Sequence, residues 1–291
     1  MTSRYDNLGQ TFKKIRTNRH IPLKQIADEE VSISQLSRFE RGESELSLRR
    51  FLIALERMGV EVGEYMDTVN EYQRSEQIQL MNRVIQLEYE RNIPGFQEEY
   101  ERQCENYKDH PDIYRYHLNA ILLQGFICKC DTSIPFPKEY TREVTEYLLE
   151  TEQWNIYELI LIGNLYLFFD LKLLHMMGKE ILKRKEIYQG KNSQRNVVEI
   201  TMLNIWESCL HRDTLDMAEF YREKTKELLD DETDLYKRAI FLFLSGLQLY
   251  KEGKKAEGKE EMQKAISVFE WVGSENLAQN YKKDYHRFVE E

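Results

Sequence analysis

Apolar residues recur at helical spacing in five short segments within the first 70 residues. In the first segment, Leu8, Phe12 and Ile15 have the spacing of one buried helix face. Pro22 follows this segment closely, and proline cannot continue a helix. The later segments read LKQIADEE, VSISQLSRFERG, LSLRRFLIALERMGV and VGEYMDTVNEY. The pattern therefore predicts a small bundle of five helices.

The third segment has the features of a helix that enters the DNA major groove. Leu36 and Phe39 share its inward face, Ser32 is a predicted N-cap and Gly42 follows its end. A short helix, a tight turn and a second helix rich in Ser, Gln and Arg are typical of a helix-turn-helix. Hydroxyl, amide and guanidinium groups match base edges and phosphates. Base contacts are predicted for Ser34, Gln35 and Arg38, with Ser37 nearer the flank, and phosphate contacts for Gln25 and Ser32.

From about residue 71 the apolar pattern predicts one helix after another. Short breaks between helices favour antiparallel hairpins that stack on each other. Packing residues recur at Ala120, Gly163, Trp206 and Gly246, which are 43, 43 and 40 positions apart. The predicted helices are 71–91, 95–108, 111–130, 137–151, 154–170, 172–189, 194–211, 214–230, 234–252, 255–271 and 275–289.

Composition supports a helical, intracellular protein. The 291 residues include only 5 Pro and 13 Gly, which argues against a turn-rich β fold. The start of the chain lacks the apolar core of a signal peptide, and the longest apolar run is too short to span a bilayer. Four cysteines are too few for a disulfide scaffold. We expect a cytoplasmic protein without a membrane partner.

Charge is distributed unevenly along the chain. Residues 1–65 hold 11 Lys and Arg against 10 Asp and Glu, whereas the remaining residues hold 30 against 41. The overall charge of −10 would argue against nucleic acid, but the N-terminal segment is nearly neutral. Few phosphate contacts per subunit are expected from this segment, so DNA binding would require a dimer.

Catalytic and metal-binding motifs are missing from the sequence. It contains no HExxH, P-loop, GxSxG or dinucleotide-binding glycine motif. Cys128 and Cys130 lie too close together for a CxxC motif, and no second cysteine pair follows them. We therefore expect no enzymatic activity, no cofactor and no metal.

The N-terminal motif resembles a known family. The residues ISQLSRFERGES resemble the helix-turn-helix signature of Xre/Cro-like repressors, and SQLSRFERGESELS is similar to the Rgg/GadR/MutR group of Gram-positive transcriptional regulators. The resemblance implies a partly buried ion pair between Arg16 and Glu40. Ile33 stands where many relatives carry Gln or Lys, and its side chain suits contact with a thymine methyl.

The C-terminal part resembles a helical-repeat domain. The residues FLFLSGLQLYKEGKKAEGKEEMQKAISVFE resemble a tetratricopeptide repeat, with Gly246 at the small position of its first helix. The Rgg group has such a domain, which binds short signalling peptides and dimerises. The resemblance implies a helix-turn-helix domain at 1–66, a linker helix at 67–74 and, at 75–291, a right-handed superhelix of degenerate tetratricopeptide-like hairpins.

First-helix positions beside the small residue of each repeat face the concave groove in this repeat type. A groove that binds a peptide needs apolar pockets and side chains that hold the peptide backbone. The candidate peptide-binding residues are His117, Asn119, Tyr157, Asn164, Tyr166, Leu203, Asn204, Glu207, Phe243, Leu247 and Tyr250. An acidic groove would favour a peptide with a free amino terminus or a basic residue.

Together these features predict a homodimeric transcriptional regulator. Its helix-turn-helix would bind double-stranded DNA, and a short intercellular signalling peptide bound in the repeats would control it, as in quorum sensing. Two alternatives remain open. The repeats would act as a scaffold that recruits a protein partner, or the chain would be an antitoxin-like protein that neutralises an enzyme.

Overall fold

The computed structural model describes residues 7–70, 76–184 and 192–290. All regular elements in these ranges are helices, which confirms the all-α fold. The chain divides into two compact units between Arg83 and Val84. The helices are α1 (Leu8–Asn18), α2 (Leu23–Ile26), α3 (Ile33–Glu40), α4 (Leu48–Met58), α5 (Val62–Val69), α6 (Glu76–Glu90), α7 (Ile93–Asp109), α8 (Tyr114–Cys130), α9 (Lys138–Glu150), α10 (Ile156–Asn164), α11 (Leu171–Lys183), α12 (Asn192–His211), α13 (Leu215–Leu228), α14 (Leu235–Lys251), α15 (Lys255–Trp271) and α16 (Glu275–Glu290).

A row of aromatic side chains holds α1, α3, α4 and α5 together in the N-terminal unit. The ring centroids of Phe12 and Phe39 are 5.6 Å apart, those of Phe39 and Phe51 are 6.2 Å apart, and those of Phe51 and Tyr65 are 4.8 Å apart. The Tyr65 hydroxyl donates a hydrogen bond to the Leu8 carbonyl at 2.6 Å. Burial raises the pKa of Tyr65, so the phenol stays protonated and keeps this bond.

The linker helix predicted for residues 67–74 lies partly outside the described residues. Residues 67–69 complete α5, whereas 71–74 are not described. Similarly, the helix predicted for 172–189 ends at Lys183 as α11, and residues 185–189 are not described.

In the C-terminal unit, the first helices of successive hairpins pack in a row. This row consists of α8, α10, α12 and α14. Side chains join neighbours in the row: Asn204 Nδ2 donates to the Gly163 carbonyl at 2.6 Å, and Trp206 Nε1 donates to Gln248 Oε1 at 2.8 Å. The two bonds span 41 and 42 positions. These spans agree with the period expected from the sequence.

Two glycines allow α14 and α15 to approach closely. A Cβ atom on Gly246 would lie 2.7 Å from the Gly258 carbonyl oxygen, and one on Gly258 would lie 2.6 Å from the Gly246 carbonyl oxygen. At these distances a Cβ atom would clash with the carbonyl oxygen, and the backbone would have to move. The hairpin that resembles a tetratricopeptide repeat therefore depends on small residues at both of these positions.

The predicted helix at 154–170 is shorter in the structure. Helix α10 ends at Asn164, whose Nδ2 atom donates to the Ile160 carbonyl at 2.8 Å. The chain then turns, with Leu165, Tyr166 and Phe169 buried. A continuous apolar run predicts burial but does not fix the backbone conformation. The prediction of one long helix was wrong for this reason.

Candidate functional sites

Arg16 and Glu40 fix α1 against α3. Arg16 Nε donates to Glu40 Oε1 at 2.6 Å and Nη2 donates to Oε2 at 3.0 Å, which is a bidentate pair. Their side chains are 12% and 5% exposed. Arg16 Nη1 also donates to the Ile21 carbonyl at 2.7 Å. The hydrogen bond with Glu40 raises the pKa of Arg16. This pair therefore positions α3 and leaves base contacts to other residues.

The outward face of α3 carries two side chains with no hydrogen bond or ion pair among the described residues, Ser34 and Arg38. Both are exposed, and they lie one helical turn apart. Leu36 and Phe39 are buried on the opposite face. The face predicted to contact DNA is thus the one that the bundle leaves in solvent.

A capping box occupies the start of α3. Ser32 Oγ accepts from the Gln35 backbone N–H at 3.2 Å, while Gln35 Oε1 accepts from the Ser32 backbone N–H at 3.0 Å and from its hydroxyl at 3.2 Å. Bidentate pairing of Gln35 with adenine needs Oε1 as an acceptor for the base. In this structure Gln35 Oε1 and the Ser32 hydroxyl proton are both used within the capping box, which leaves Gln35 Nε2 for a contact with DNA.

Ser37 is also engaged within the protein. Arg41 Nη1 donates to Ser37 Oγ at 2.5 Å, and Arg41 Nε contacts Glu43 Oε1 at 2.6 Å. Arg41, which directly follows α3, therefore holds Ser37 and Glu43 together at the end of that helix. Gln25 is exposed on α2, as a phosphate contact requires.

The turn between α2 and α3 is held by Asp28. Its Oδ1 atom accepts from the backbone N–H groups of Glu30 at 2.8 Å and Val31 at 2.7 Å, and Oδ2 lies 2.6 Å from Arg57 Nη2. The hydrogen bond from Val31 is the main cause that lowers the pKa of Asp28. The carboxylate therefore stays charged and keeps the turn in one conformation.

Polar side chains from several helices of the C-terminal unit meet in what we call the central cluster, consisting of Glu88, Lys129, Tyr166, Glu207 and Asp284. Lys129 Nζ donates to Glu88 Oε1 at 2.8 Å and lies 5.5 Å from the Tyr166 ring centre. The Tyr166 hydroxyl donates to Glu207 Oε2 at 2.7 Å. The cluster thus carries three carboxylates and one ammonium group.

Burial and mutual charge set the protonation of the central cluster. Burial acts to raise the pKa of Glu207, but interactions with His211, Tyr166 and Lys129 outweigh it and lower that pKa. Burial, together with the nearby Glu207 charge, raises the pKa of Asp284. Two basic side chains face these carboxylates as well: Arg91 Nη2 lies 3.6 Å from Asp284 Oδ1, and His211 Nε2 lies 3.5 Å from Glu207 Oε1.

Helix α16 lies against the same region. Its Tyr281 ring lies 4.8 Å from the Phe243 ring, and its Phe288 ring lies 4.9 Å from the His211 ring. Asn280 Nδ2 donates to the Tyr89 carbonyl at 3.2 Å, although the two residues are 191 positions apart. The two ends of the C-terminal unit therefore meet beside the central cluster.

About half of the predicted peptide-binding residues are buried. Asn119 shows why: its Nδ2 donates to Gln103 Oε1 at 3.0 Å and its Oδ1 accepts from the Tyr157 hydroxyl at 3.1 Å. Both polar groups of the Asn119 side chain are therefore used within the protein in this structure. The buried residues are Asn119, Tyr166, Leu203, Phe243 and Leu247.

The remaining predicted residues are half-buried, but they face different neighbours. His117 Nε2 lies 2.5 Å from Glu143 Oε2 on α9, and the Tyr250 ring lies under Lys255 of α15 at 5.5 Å. These two side chains therefore contact the second helices of hairpins. Asn164, Asn204 and Glu207 lie along the row of first helices, together with Tyr157.

Other chemistry finds little support among the described residues. No group of three or more His, Cys, Asp and Glu side chains in this part of the chain is placed to hold a metal ion. None of the described helices is long and apolar enough to cross a membrane. The four cysteines are free thiols, and burial raises the pKa of Cys128 and Cys130.

The C-terminal unit has the features of a known domain. A family model of the C-terminal domain of the HTH-type transcriptional regulator Rgg matches residues 97–283. This match covers more than half of the chain. The chain belongs to the Rgg family. The resemblance seen in the sequence is thereby confirmed.

Solved structures match this Rgg-family chain along nearly all of its length. The SHP pheromone receptor Rgg2 of Streptococcus dysgalactiae is 26% identical, with a TM-score of 0.74, and the match covers 96% of this chain and 99% of that one. ComR of S. thermophilus, in complex with DNA and its signalling peptide ComS, is 18% identical, with a TM-score of 0.62 and coverage of 97% and 99%.

PlcR of Bacillus thuringiensis, in complex with the peptide PapR7 and DNA, is 16% identical, with a TM-score of 0.66 and coverage of 96% and 99%. At such identities the likeness to ComR and PlcR shows the fold alone. This Rgg-family chain therefore shares its fold with these proteins over 96–97% of its residues.

Sequence reasoning missed most of the central cluster of this Rgg-family chain. It singled out Tyr166 and Glu207 but not Glu88, Lys129 or Asp284. Lys129 carried a usable signal, since a lysine within the apolar run of α8 needs a buried partner. Glu88 and Asp284 carried none, because polar residues on amphipathic helices usually face solvent.

Proposed function

We propose that the protein is a transcriptional regulator that binds DNA as a homodimer through α3 and responds to a short signalling peptide bound in its C-terminal unit. It would act by binding, without catalysis, and in the cytoplasm where bacterial DNA is found. The observation that carries the DNA-binding part is the exposed face of α3. Ser34 and Arg38 are exposed there, while the buried pair of Arg16 and Glu40 fixes the helix.

The peptide-binding part rests on the row of first helices and the central cluster. Asn204 uses Nδ2 for the Gly163 carbonyl, which leaves Oδ1 to accept from a peptide N–H. Glu207 presents a half-buried carboxylate that suits a peptide amino terminus or a basic side chain. The relatives ComR and PlcR in complex with DNA and a peptide support such a pairing of sites.

Peptide binding would control DNA binding through a difference in affinity. A ligand changes an equilibrium between two arrangements of a dimer only as far as it binds one of them better. The proposal therefore requires that the bound peptide and the DNA affect each other's affinity reciprocally.

Replacing Arg38 with alanine tests the DNA-binding part. The DNA flanking the protein's own gene is footprinted with full-length protein at fixed salt, and the affinity of each variant is measured on the protected sequence. A base contact contributes about 1–3 kcal/mol, so we expect Arg38→Ala to weaken specific binding by about 5- to 150-fold. Lys13→Ala, an equal change of charge at an exposed position of α1, serves as the control. Affinity within about twofold of wild type for Arg38→Ala would refute this role.

Replacing Glu207 with glutamine tests the peptide-binding part. Purified protein is mixed with the low-molecular-weight fraction of culture medium, and retained peptides are identified by native mass spectrometry and then synthesised. A charge-assisted hydrogen bond contributes about 1.5–3 kcal/mol, so we expect Glu207→Gln to weaken peptide binding by about tenfold or more. Glu223→Gln, on the exposed surface of α13, should bind as wild type does.

Other outcomes of these experiments would favour the two alternatives. A stoichiometric protein partner in place of a peptide would indicate a scaffold. Toxicity of a neighbouring gene product after loss of this protein would indicate an antitoxin. Neither alternative has a specific observation in the structure that favours it over the regulator.

A further inference from the structure

The first residue of α3 is an exposed isoleucine. Ile33 is 50% exposed, although its β-branched apolar side chain gains free energy from burial. It directly precedes Ser34, and it lies one helical turn before Ser37 on the same side of α3. Ile33 therefore borders the face that the proposed function directs into the major groove.

The polar groups around Ile33 are largely used within the protein. Gln35 Oε1 accepts two hydrogen bonds from Ser32, and Ser37 Oγ accepts one from Arg41. The remaining polar groups are Gln35 Nε2 and the Ser34 hydroxyl, which can recognise a hydrogen-bond acceptor, and Arg38, which can recognise a guanine. None of these polar groups distinguishes thymine from another base that presents a hydrogen-bond acceptor in the major groove.

The apolar feature of base edges in the major groove is the C5 methyl group of thymine. An exposed isoleucine at the start of the inserted helix has the chemistry to contact it, since both surfaces lose water on contact. We propose that Ile33 is a specificity-determining residue that selects thymine in each half-site by contact with its methyl group. This inference rests on the proposed DNA-binding function and adds the identity of one recognised base.

The test removes the methyl group from the DNA and the side chain from the protein. Preferred sites of full-length wild-type protein are selected from a randomised duplex library. Each thymine of the selected site is then replaced singly by deoxyuridine, which lacks the methyl group and keeps the base pair. Affinities are measured for wild type, Ile33→Ala and the control Val62→Ala, whose residue is also exposed and also begins a helix, α5.

We expect one thymine in each half-site whose replacement weakens wild-type binding by about fourfold, the effect of about one buried methyl group. Ile33→Ala should bind the unmodified site about as weakly as wild type binds the site with deoxyuridine. Deoxyuridine at that one position should not weaken binding of Ile33→Ala further. Cytosine placed there should bind better after methylation at C5. Val62→Ala should match wild type on every duplex.

Two results would overturn the inference, and they are distinguishable. If wild type selects a specific site but no single deoxyuridine changes its affinity, Ile33 does not read a methyl group and the regulator proposal stands. The same conclusion follows if Ile33→Ala keeps the wild-type response to every deoxyuridine. If wild type selects no sequence at all, the proposed DNA-binding function fails and this inference fails with it.

Discussion

Replacing Glu40 with alanine is expected to destabilise the N-terminal unit by about 3 kcal/mol or more. The change leaves the Arg16 guanidinium in a site where its side chain is only 12% exposed. Removing one member of a buried ion pair typically costs about 3–5 kcal/mol, because the other charge stays desolvated and unpaired. Native-state hydrogen exchange of peptides from α1 and α3 in the full-length protein measures this change within the unit.

The matched control is the exposed pair of Arg49 and Glu30, whose atoms lie 2.9 Å apart. Glu30→Ala should change stability by at most about 1 kcal/mol, since exposed pairs are screened by water. Replacing the buried pair with Arg16→Met and Glu40→Leu together should recover much of the loss. A change below about 1 kcal/mol for Glu40→Ala would show that the pair does not hold α1 on α3.

Replacing Gly9 with alanine is expected to destabilise the same unit by about 3 kcal/mol or more. A Cβ atom on Gly9 would overlap the carbonyl oxygen of Phe39, so α1 and the end of α3 would have to separate. Overpacking of this kind costs about 1–3 kcal/mol and sometimes more, and here the obstacle is backbone instead of a movable side chain. The same exchange measurement on α1 and α3 reports the loss.

Gly63 provides the control for Gly9. It lies within α5, and a Cβ atom there would have no neighbour within 4 Å. Gly63→Ala should therefore stabilise the unit by up to about 1 kcal/mol, because alanine favours the helix. If α1 and α3 showed the same hydrogen-exchange protection in Gly9→Ala as in Gly63→Ala, the close approach of α1 to α3 would not contribute to the stability of the unit.

The sequence was sufficient for α3 because its signals are local. Ser32 before the helix, Leu36 and Phe39 on one face and Gly42 after the end all act within one or two helical turns. The partner of Glu40 is 24 positions away, and it was known only from the family resemblance. Periodicity alone gives the buried face of a helix without naming what lies against it.

The sequence did not show which of the candidate peptide-binding residues are buried, because their burial depends on contacts between repeats. Spacing placed Asn119 and Asn204 on equivalent helices, yet Asn119 is buried between Gln103 and Tyr157 while Asn204 is half-buried. The hydrogen bonds between helices of the row join residues that are 41 and 42 positions apart in the sequence. The contacts that bury or expose a side chain therefore come from distant parts of the chain. A helical pattern does not distinguish an inward face that packs against another helix from one that borders a groove.

The amino-acid sequence by itself determined the helical fold, helix α3 and the repeat period, since each arises from the spacing of apolar residues and from residues that begin or end helices. Only the tertiary structure decided which polar atoms remain free. It engaged Gln35 Oε1 and Ser37 Oγ within the protein, left Ile33 and Arg38 exposed, and brought Glu88, Lys129 and Asp284 together near Glu207. A polar atom is free or occupied according to the donors and acceptors that folding brings within about 3 Å of it, and those partners come from distant parts of the chain.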